Sequence, residues 1–539
     1  MDTLTVLLLQ NSAITLTPSG IIFAFIPVVL LILLMGVFKL PGDKSAVLTL
    51  ITTVILSFFT YNFSMHDIGM TTLYGIMKAF FPILLIIIMA IFSYNILVHT
   101  QYMEVIKEQF ISISSDRSIQ VLLLTWGFGG LLEGMAGFGT AVAIPAAILI
   151  GLGFSPVFSA VASLIANSVA TAFGAVGVPV LVLAQQAGIS DIQNLSSQVI
   201  IQLSPLMSII PFILLCLTEF STKKLPKYLL LSFLVGGVSL LCQFLSAKYM
   251  GPETPAIFGS IASIITIIIY AKITERGESK DSPKHKKTEL LKAWSVYGTI
   301  LLLIIITSPI FPLRELLQSV LSTSVSFTIH AGSPGPIKIF WLTDTAVLLF
   351  LGSIIGGLIQ GAKWKNLFKM LSKVIISQQK TMVTVCSLII LSSIMDFSGM
   401  IGVIGLTLAQ ATGSFYPLFA PTVGCLGTFL TGSDTSSNIL FGKLQTSVAN
   451  ATGADPSWLA AANTAGATGG KIISPQSIAV ATSACNQQGQ EGAIMKKAMP
   501  YALLYIIVVG LMVYFIPQIM GHLVSFPFLG QYLIRLLNK

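Results

Sequence analysis

The chain has 539 residues, a mean hydropathy of +0.90, 54% hydrophobic residues and only 9% charged ones, against about 25% charged in an average soluble domain. That composition excludes a water-soluble globular protein and places most of the chain in a bilayer. The net charge of +9 does not point to nucleic acid, because the cations gather in a few loops, as membrane topology demands.

Taken from the N-terminus, the first apolar run, Ile21 to Phe38, follows a segment whose only charge is Asp2. Without the basic n-region of a cleaved signal it reads as a retained first helix. Runs suited to crossing a bilayer, which takes about 20 mostly apolar residues, recur at Ala46 to Phe59, Phe80 to Val98, Ile200 to Leu217, Tyr228 to Ala247, Ala256 to Ala271, Val296 to Ile310, Trp341 to Ile359, Val383 to Met395 and Tyr501 to Ile516. Cations concentrate in three loops: Lys223, Lys224 and Lys227; then Lys272, Arg276, Lys280, Lys284, Lys286, Lys287 and Lys292; then Lys363, Lys365, Lys369, Lys373 and Lys380. Segments 62–71, 186–197 and 396–417 hold no Lys or Arg. The positive-inside rule puts the basic loops in the cytoplasm and the others outside, and alternation then leaves both termini outside.

Two stretches break the apolar pattern. Residues 127–180 and 424–485 are rich in Gly, Ala, Ser, Thr, Asn and Pro, while their flanks are Leu, Ile, Val and Phe. Irregular backbone at membrane depth survives only when buried in protein or lining a water-filled cavity, so the pair marks a passage. The first stretch enters from the inside loop 99–118 and leaves to 186–197; the second enters from 396–417 and leaves near Lys496 and Lys497. At an offset of 300, GLGFSPVFSAVA (151–162) lies over ATGADPSWLAAA (451–462), sharing Gly153/Gly453, Pro156/Pro456, Phe158/Trp458, Ala160/Ala460 and Ala162/Ala462. Antiparallel passage plus this kinship reads as an inverted repeat, whose interface forms the midplane site of many secondary transporters. The predicted fold is an all-α polytopic membrane protein of about 12 transmembrane helices in two inverted-topology halves, with broken helices or re-entrant hairpins at the centre. The halves are 1–271 and 294–539, joined by a basic cytoplasmic loop, 272–293.

Within the stretches the polar residues are the site candidates. Glu133, set between Leu132 and Gly134, is costly at membrane depth unless paired, protonated or wetted; it reads either as a proton carrier or as a structural partner for a lysine. In TGSDTSSN either Ser433 or Asp434 caps the following helix, and Asp434 reads preferentially as coupling protons or ions. Lys443 and Lys471 are the only cations in the two stretches. Lys471, amid small residues that let backbone and solute approach closely, is the first candidate to meet a substrate carboxylate; Lys443 reads as a structural or ion-pair residue. The GGK context of Lys471 is not a phosphate loop, since Ala465 and Ile472 stand where the motif needs Gly and Ser or Thr. Thr140, Asn167, Ser168, Thr171, Ser436, Asn438, Asn463, Thr464, Ser474 and Gln476 as a group read as a substrate or ion site, although each singly is better explained by interhelical hydrogen bonding.

The remaining signals are plainer. Cys216, Cys242, Cys386, Cys425 and Cys485 stand singly and read as inert buried thiols. His66, His99, His285, His330 and His522 give no metal pair and no Ser-His dyad at a defensible spacing, so no metal, cofactor or intramembrane protease chemistry is expected. The tail FPFLGQYLIRLLNK reads as a short interfacial amphipathic helix.

The runs EGMAGFGTAVAIPAAILIGLGFSP (133–156), NSVATAFGAVGVP (167–179), GSDTSSNILFGKLQ (432–445) and AANTAGATGGKIISPQSIAVATSA (461–484) resemble those of the bacterial lactate permease family. The resemblance, which covers essentially the whole chain, implies carriage of L-lactate, D-lactate and often glycolate with protons across the bacterial inner membrane. The partners expected are thus a small monocarboxylate, protons and membrane lipid. Sodium coupling is the rival within transport, and a channel the rival outside it. The resemblance assigns no role to any single residue.

Overall fold

The computed structural model describes residues 17–524 apart from 138, 275–284, 331–333 and 335. The tail expected to form an interfacial helix, and Arg276, Lys280 and Lys284 of the basic loop, lie outside the described residues. Among the described residues, eight helices are long and apolar enough to cross a membrane, or up to eleven if each of three bent pairs counts as one span. The run read at Trp341 to Ile359 forms a shorter apolar helix, Thr345–Ile359. Among the described residues, strands Ser322–Val325 and Ile337–Phe340 pair antiparallel, and the segment between them reaches residues 62–71, where His330 N donates to Asp67 Oδ1 at 2.8 Å.

The two small-residue stretches each fold into a re-entrant hairpin followed by a broken span. In the first, helical segments Arg117–Val121, Leu122–Phe128 and Gly129–Met135 lead to a break, and Thr140–Gly151 returns beside them. The return is antiparallel: a Cβ on Gly129 would lie 3.3 Å from Ala141 O, and Arg117 at the start donates to Gly153 O at the end, 3.2 Å away. The chain then crosses as two helices, Pro156–Thr171 and Gly174–Ala187, bent by 50° at their junction. In the second, Tyr416–Thr431 and Asp434–Thr452 form the hairpin, and Pro456–Lys471 and Pro475–Ala484 the broken span.

Local sequence fixes these ends. Pro156 and Pro456 both occupy the first turn of their helices, where a missing N–H costs nothing, and Ser155 and Asp455 cap them at matching positions. Both helices run 16 residues, so the offset of 300 seen in sequence persists in space. The two start from opposite faces: the first beside Arg117, the second beside Gln198, whose Nε2 donates to Asp455 Oδ2. Their C-terminal ends meet in the middle. There Tyr505, fully buried in Glu491–Val524, hydrogen-bonds Thr468 at 2.8 Å and Ser168, a residue pair again 300 apart.

Small residues set the closest approaches. A Cβ on Gly466 would overlap the backbone of Pro421, on Gly424 that of Asn463, and on Gly470 that of Cys425, so helices Tyr416–Thr431 and Pro456–Lys471 touch backbone to backbone. Ordinary overpacking costs about 1–3 kcal/mol; here no side chain can yield. Gly466→Val is expected to leave little monodisperse protein after detergent extraction, whereas Gly298→Ala, at a position open to 4 Å, leaves the chromatographic profile unchanged. Equal profiles would refute this packing.

The halves of the sequence interlock. Gln379–Phe397 packs on Gly42–Thr60 and Met65–Lys78, and Thr345–Ile359 packs on Leu85–His99 as well as on Ser295–Ile306. Trp364–Ser377 buries only Leu367 and Val374 and exposes Lys365, Lys369 and Lys373, the pattern of a basic helix lying along a membrane surface.

Candidate functional site

Four helix breaks converge between the two hairpins and the two broken spans: 136–139, 172–173, 432–433 and 472–474. Gly137 lies against Ala175, Gly139 against Val480, and Gly432 against Gln476. Three helices therefore begin here, at Thr140, Asp434 and Pro475, and their positive dipole ends favour negative charge; after the break at 172–173, regular helix resumes only beyond Gly177. Ser433 and Ser474 cap the two in the second half, through Ser436 N and Ser477 N, while the helix starting at Thr140 has no side-chain cap.

The backbone is strained at the junction. Ala175, Val176 and Gly177 follow one another with φ of 45°, 57° and 77°. Left-handed conformation costs a non-glycine residue about 1–3 kcal/mol, and such strain gathers at functional positions.

At the convergence Lys471, the last residue of its helix, donates from Nζ to Glu133 Oε1 at 2.9 Å. The side chains are 13% and 3% exposed, so each charge is matched by the other. Glu133 Oε1 sits 2.6 Å from where a Cβ on Gly174 would be; the absence of a side chain there gives the carboxylate its place. Asp434 occupies the first turn of its helix. Its Oδ1 accepts from Thr428 Oγ1 at 3.1 Å, and its Oδ2, like Glu133 Oε2, has no hydrogen-bond partner among the described residues. The capping that the sequence leaves open between Ser433 and Asp434 falls to Ser433, which frees the Asp434 carboxylate.

The hydroxyl and amide candidates divide. Asn438 donates to Pro179 O (3.0 Å) and Thr464 Oγ1 (2.6 Å), and Asn463 donates to Asn438 Oδ1 (2.9 Å). Gln445 joins Asn463 Oδ1 to Ala420 O and receives Tyr416 OH. These buried amides bind helix to helix. Asn167 donates to Thr171 Oγ1 at 3.2 Å and leaves its Oδ1 unpartnered. Thr140 Oγ1 donates to Gly137 O across the first break; Ser436 is buried beside Asp434 and Ser474 is a cap. Gln476 is exposed next to Gly432.

Lys443 lies 3.5 Å from Asp396, both about one-third exposed. Nearby is a cation that the sequence reading passes over. Lys78, within the span Met65–His99, donates to Gln185 O (3.0 Å) and Gln186 Oε1 (3.3 Å) at the end of the first broken span. Its sole sequence signal is a lysine inside an apolar helix. The seam it covers is where Gly442 packs against Leu183; the matching seam on the other face joins Gly139 to Val480. Each hairpin thus leans its return helix on the second half of the opposite span.

A family model described as L-lactate permease matches residues 20–520. The L-lactate permease of Streptococcus iniae is 41% identical over 82% of this chain and 93% of its own. Glycolate permease GlcA of Escherichia coli (strain K12) is 31% identical over 90% and 94%. Among solved structures, the YdaH transporter of Alcanivorax borkumensis aligns with 15% identity over 82% of this chain and 87% of that one, at a TM-score of 0.47.

Proposed function

The chain belongs to the L-lactate permease family and is a multi-pass membrane transporter, not an enzyme; from that premise we propose that it takes up lactate, and with it glycolate and related 2-hydroxy monocarboxylates, by proton symport across the bacterial plasma membrane. The observation that carries the reading is the buried Glu133–Lys471 pair at the four breaks.

The chemistry is an exchange of carboxylates. In the empty protein Glu133 neutralises Lys471. A proton on Glu133 releases the ammonium, and the substrate carboxylate takes its place at Lys471 and the uncapped helix start at Thr140. The unpartnered acceptors Glu133 Oε2, Asp434 Oδ2 and Asn167 Oδ1 suit the proton of a 2-hydroxyl. The Glu133–Lys471 pair is neutral both empty and loaded with one anion and one proton. An anion without a proton would leave a net charge, costing about 3 kcal/mol at the bilayer centre. At about 1.4 kcal/mol per tenfold, uncoupled carriage falls by roughly a hundredfold.

Alternating access follows from the seams. Lactate reaches Lys471 when the seam at Gly442 and Leu183 parts on the outer face, and leaves when the seam at Gly139 and Val480 parts on the cytoplasmic face. That orientation rests on the basic loops and puts the termini outside.

The test is purified protein in liposomes with labelled monocarboxylates. An inward proton gradient without sodium is expected to drive accumulation of lactate and glycolate above the equilibrium level, with counterflow from internal lactate. Strict dependence on sodium, or uptake without counterflow, would overturn the reading.

A further inference from the structure

We propose that His66, Asp67 and His330 form a divalent-cation site of zinc type on the face that carries loop 62–71, far from the Lys471 pair and independent of the transported substrate. Asp67 is buried in the first turn of Met65–Lys78. Its Oδ1 lies 3.1 Å from His330 Nδ1 and 3.6 Å from His66 Nδ1, and one ligand atom of each residue is within 4.8 Å of the others. A tetrahedral zinc ion with bonds of about 2.0–2.2 Å holds its ligand atoms roughly 3.3–3.6 Å apart. The His66–Asp67 edge is in that range, and the His330–Asp67 edge is 0.2 Å shorter.

The carboxylate is oriented from behind, as metal-ligating carboxylates are. Ser64 Oγ donates to Asp67 Oδ2 at 2.8 Å and accepts from Asp67 N, while His330 N donates to Asp67 Oδ1 at 2.8 Å. The imidazole side chains are 56% and 70% exposed, which leaves a fourth position to water. A plain ion pair would need only one histidine. Two protonated rings with centroids 4.9 Å apart would repel each other, whereas two neutral rings sharing a cation with one carboxylate have no such conflict. The cation would join the start of Met65–Lys78 to the segment between strands Ser322–Val325 and Ile337–Phe340.

The experiment uses the full chain, purified, stripped with chelator and titrated with zinc chloride by calorimetry, followed by X-ray absorption of the loaded protein. Because both histidines are exposed, His66→Gln/His330→Gln is expected to fold and to take up lactate without zinc as the wild type does. Wild-type protein is expected to bind one zinc ion through two imidazoles and oxygen, with a raised Tm; the double variant is expected to lose at least tenfold in affinity and the Tm rise. Equal zinc affinity in both proteins, or a wild-type absorption spectrum without imidazole ligands, would overturn the site.

Discussion

Replacing Lys471 by Ala is expected to lower lactate uptake at least about a hundredfold while the protein still reaches the membrane. The single change also strands the Glu133 charge, and breaking a buried pair costs about 3–5 kcal/mol, so lost transport alone would not separate a substrate ligand from a structural prop. The variant Glu133→Gln/Lys471→Gln separates them. With both charges gone the pair's stability is expected to return to within about 1–2 kcal/mol of wild type, since neutral replacements of buried pairs are often harmless. Transport stays lost, because no cation remains to hold the carboxylate. Detergent melting curves and liposome uptake on the same preparations check both halves; near wild-type uptake by the double variant would remove Lys471 from the substrate site. Lys471→Arg keeps the charge but replaces a compact ammonium by a planar fork, in a space where Gly469 and Gly470 already abut Tyr505 and Cys425, and is expected to fail as well.

Glu133→Gln is expected to give the opposite dissociation. Lys471 is then permanently available to the anion, so lactate-for-lactate exchange persists. The empty carrier, however, takes the ammonium through the reorienting step without its hydrogen-bonded carboxylate, at up to about 3 kcal/mol. Net accumulation driven by a pH gradient is therefore expected to fall by roughly a hundredfold while counterflow changes by less than about tenfold. Equal loss of both would make the carboxylate a structural partner, and unchanged accumulation would free it of any part in coupling. Asp434→Asn gives the contrast: its Oδ2 has no partner and Thr428 holds only Oδ1.

Much of the architecture is legible in sequence because lipid is an unforgiving solvent. Gly, Asn and Pro at membrane depth are tolerated in few places, and Pro156 and Pro456 with their capping neighbours repeat at a fixed offset, so both irregular stretches and their antiparallel kinship stand out. The hairpin arms are harder to read. Leu122–Phe128 is apolar but short, and only the pairing of Gly129 with Ala141 and of Arg117 with Gly153 shows that the arm folds back. Pairing across the halves is not written locally at all. Glu133 and Lys471 are 338 residues apart, and each alone reads equally well as several things. The amides Asn438 and Asn463 look like substrate ligands in sequence, yet they face each other at 2.9 Å. Lys78 is masked by the apolar residues after it, and the approach of His330 to Asp67 depends on a strand pair in a chain otherwise read as helical.

The exchange of carboxylates at Lys471 is tested most directly by infrared difference spectroscopy of the reconstituted protein as lactate is added. A protonated carboxyl stretch is expected to appear on binding in the wild type and to be absent in Glu133→Gln. A band that persists in Glu133→Gln and vanishes in Asp434→Asn, or no carboxyl band at all during proton-driven uptake, would contradict the account.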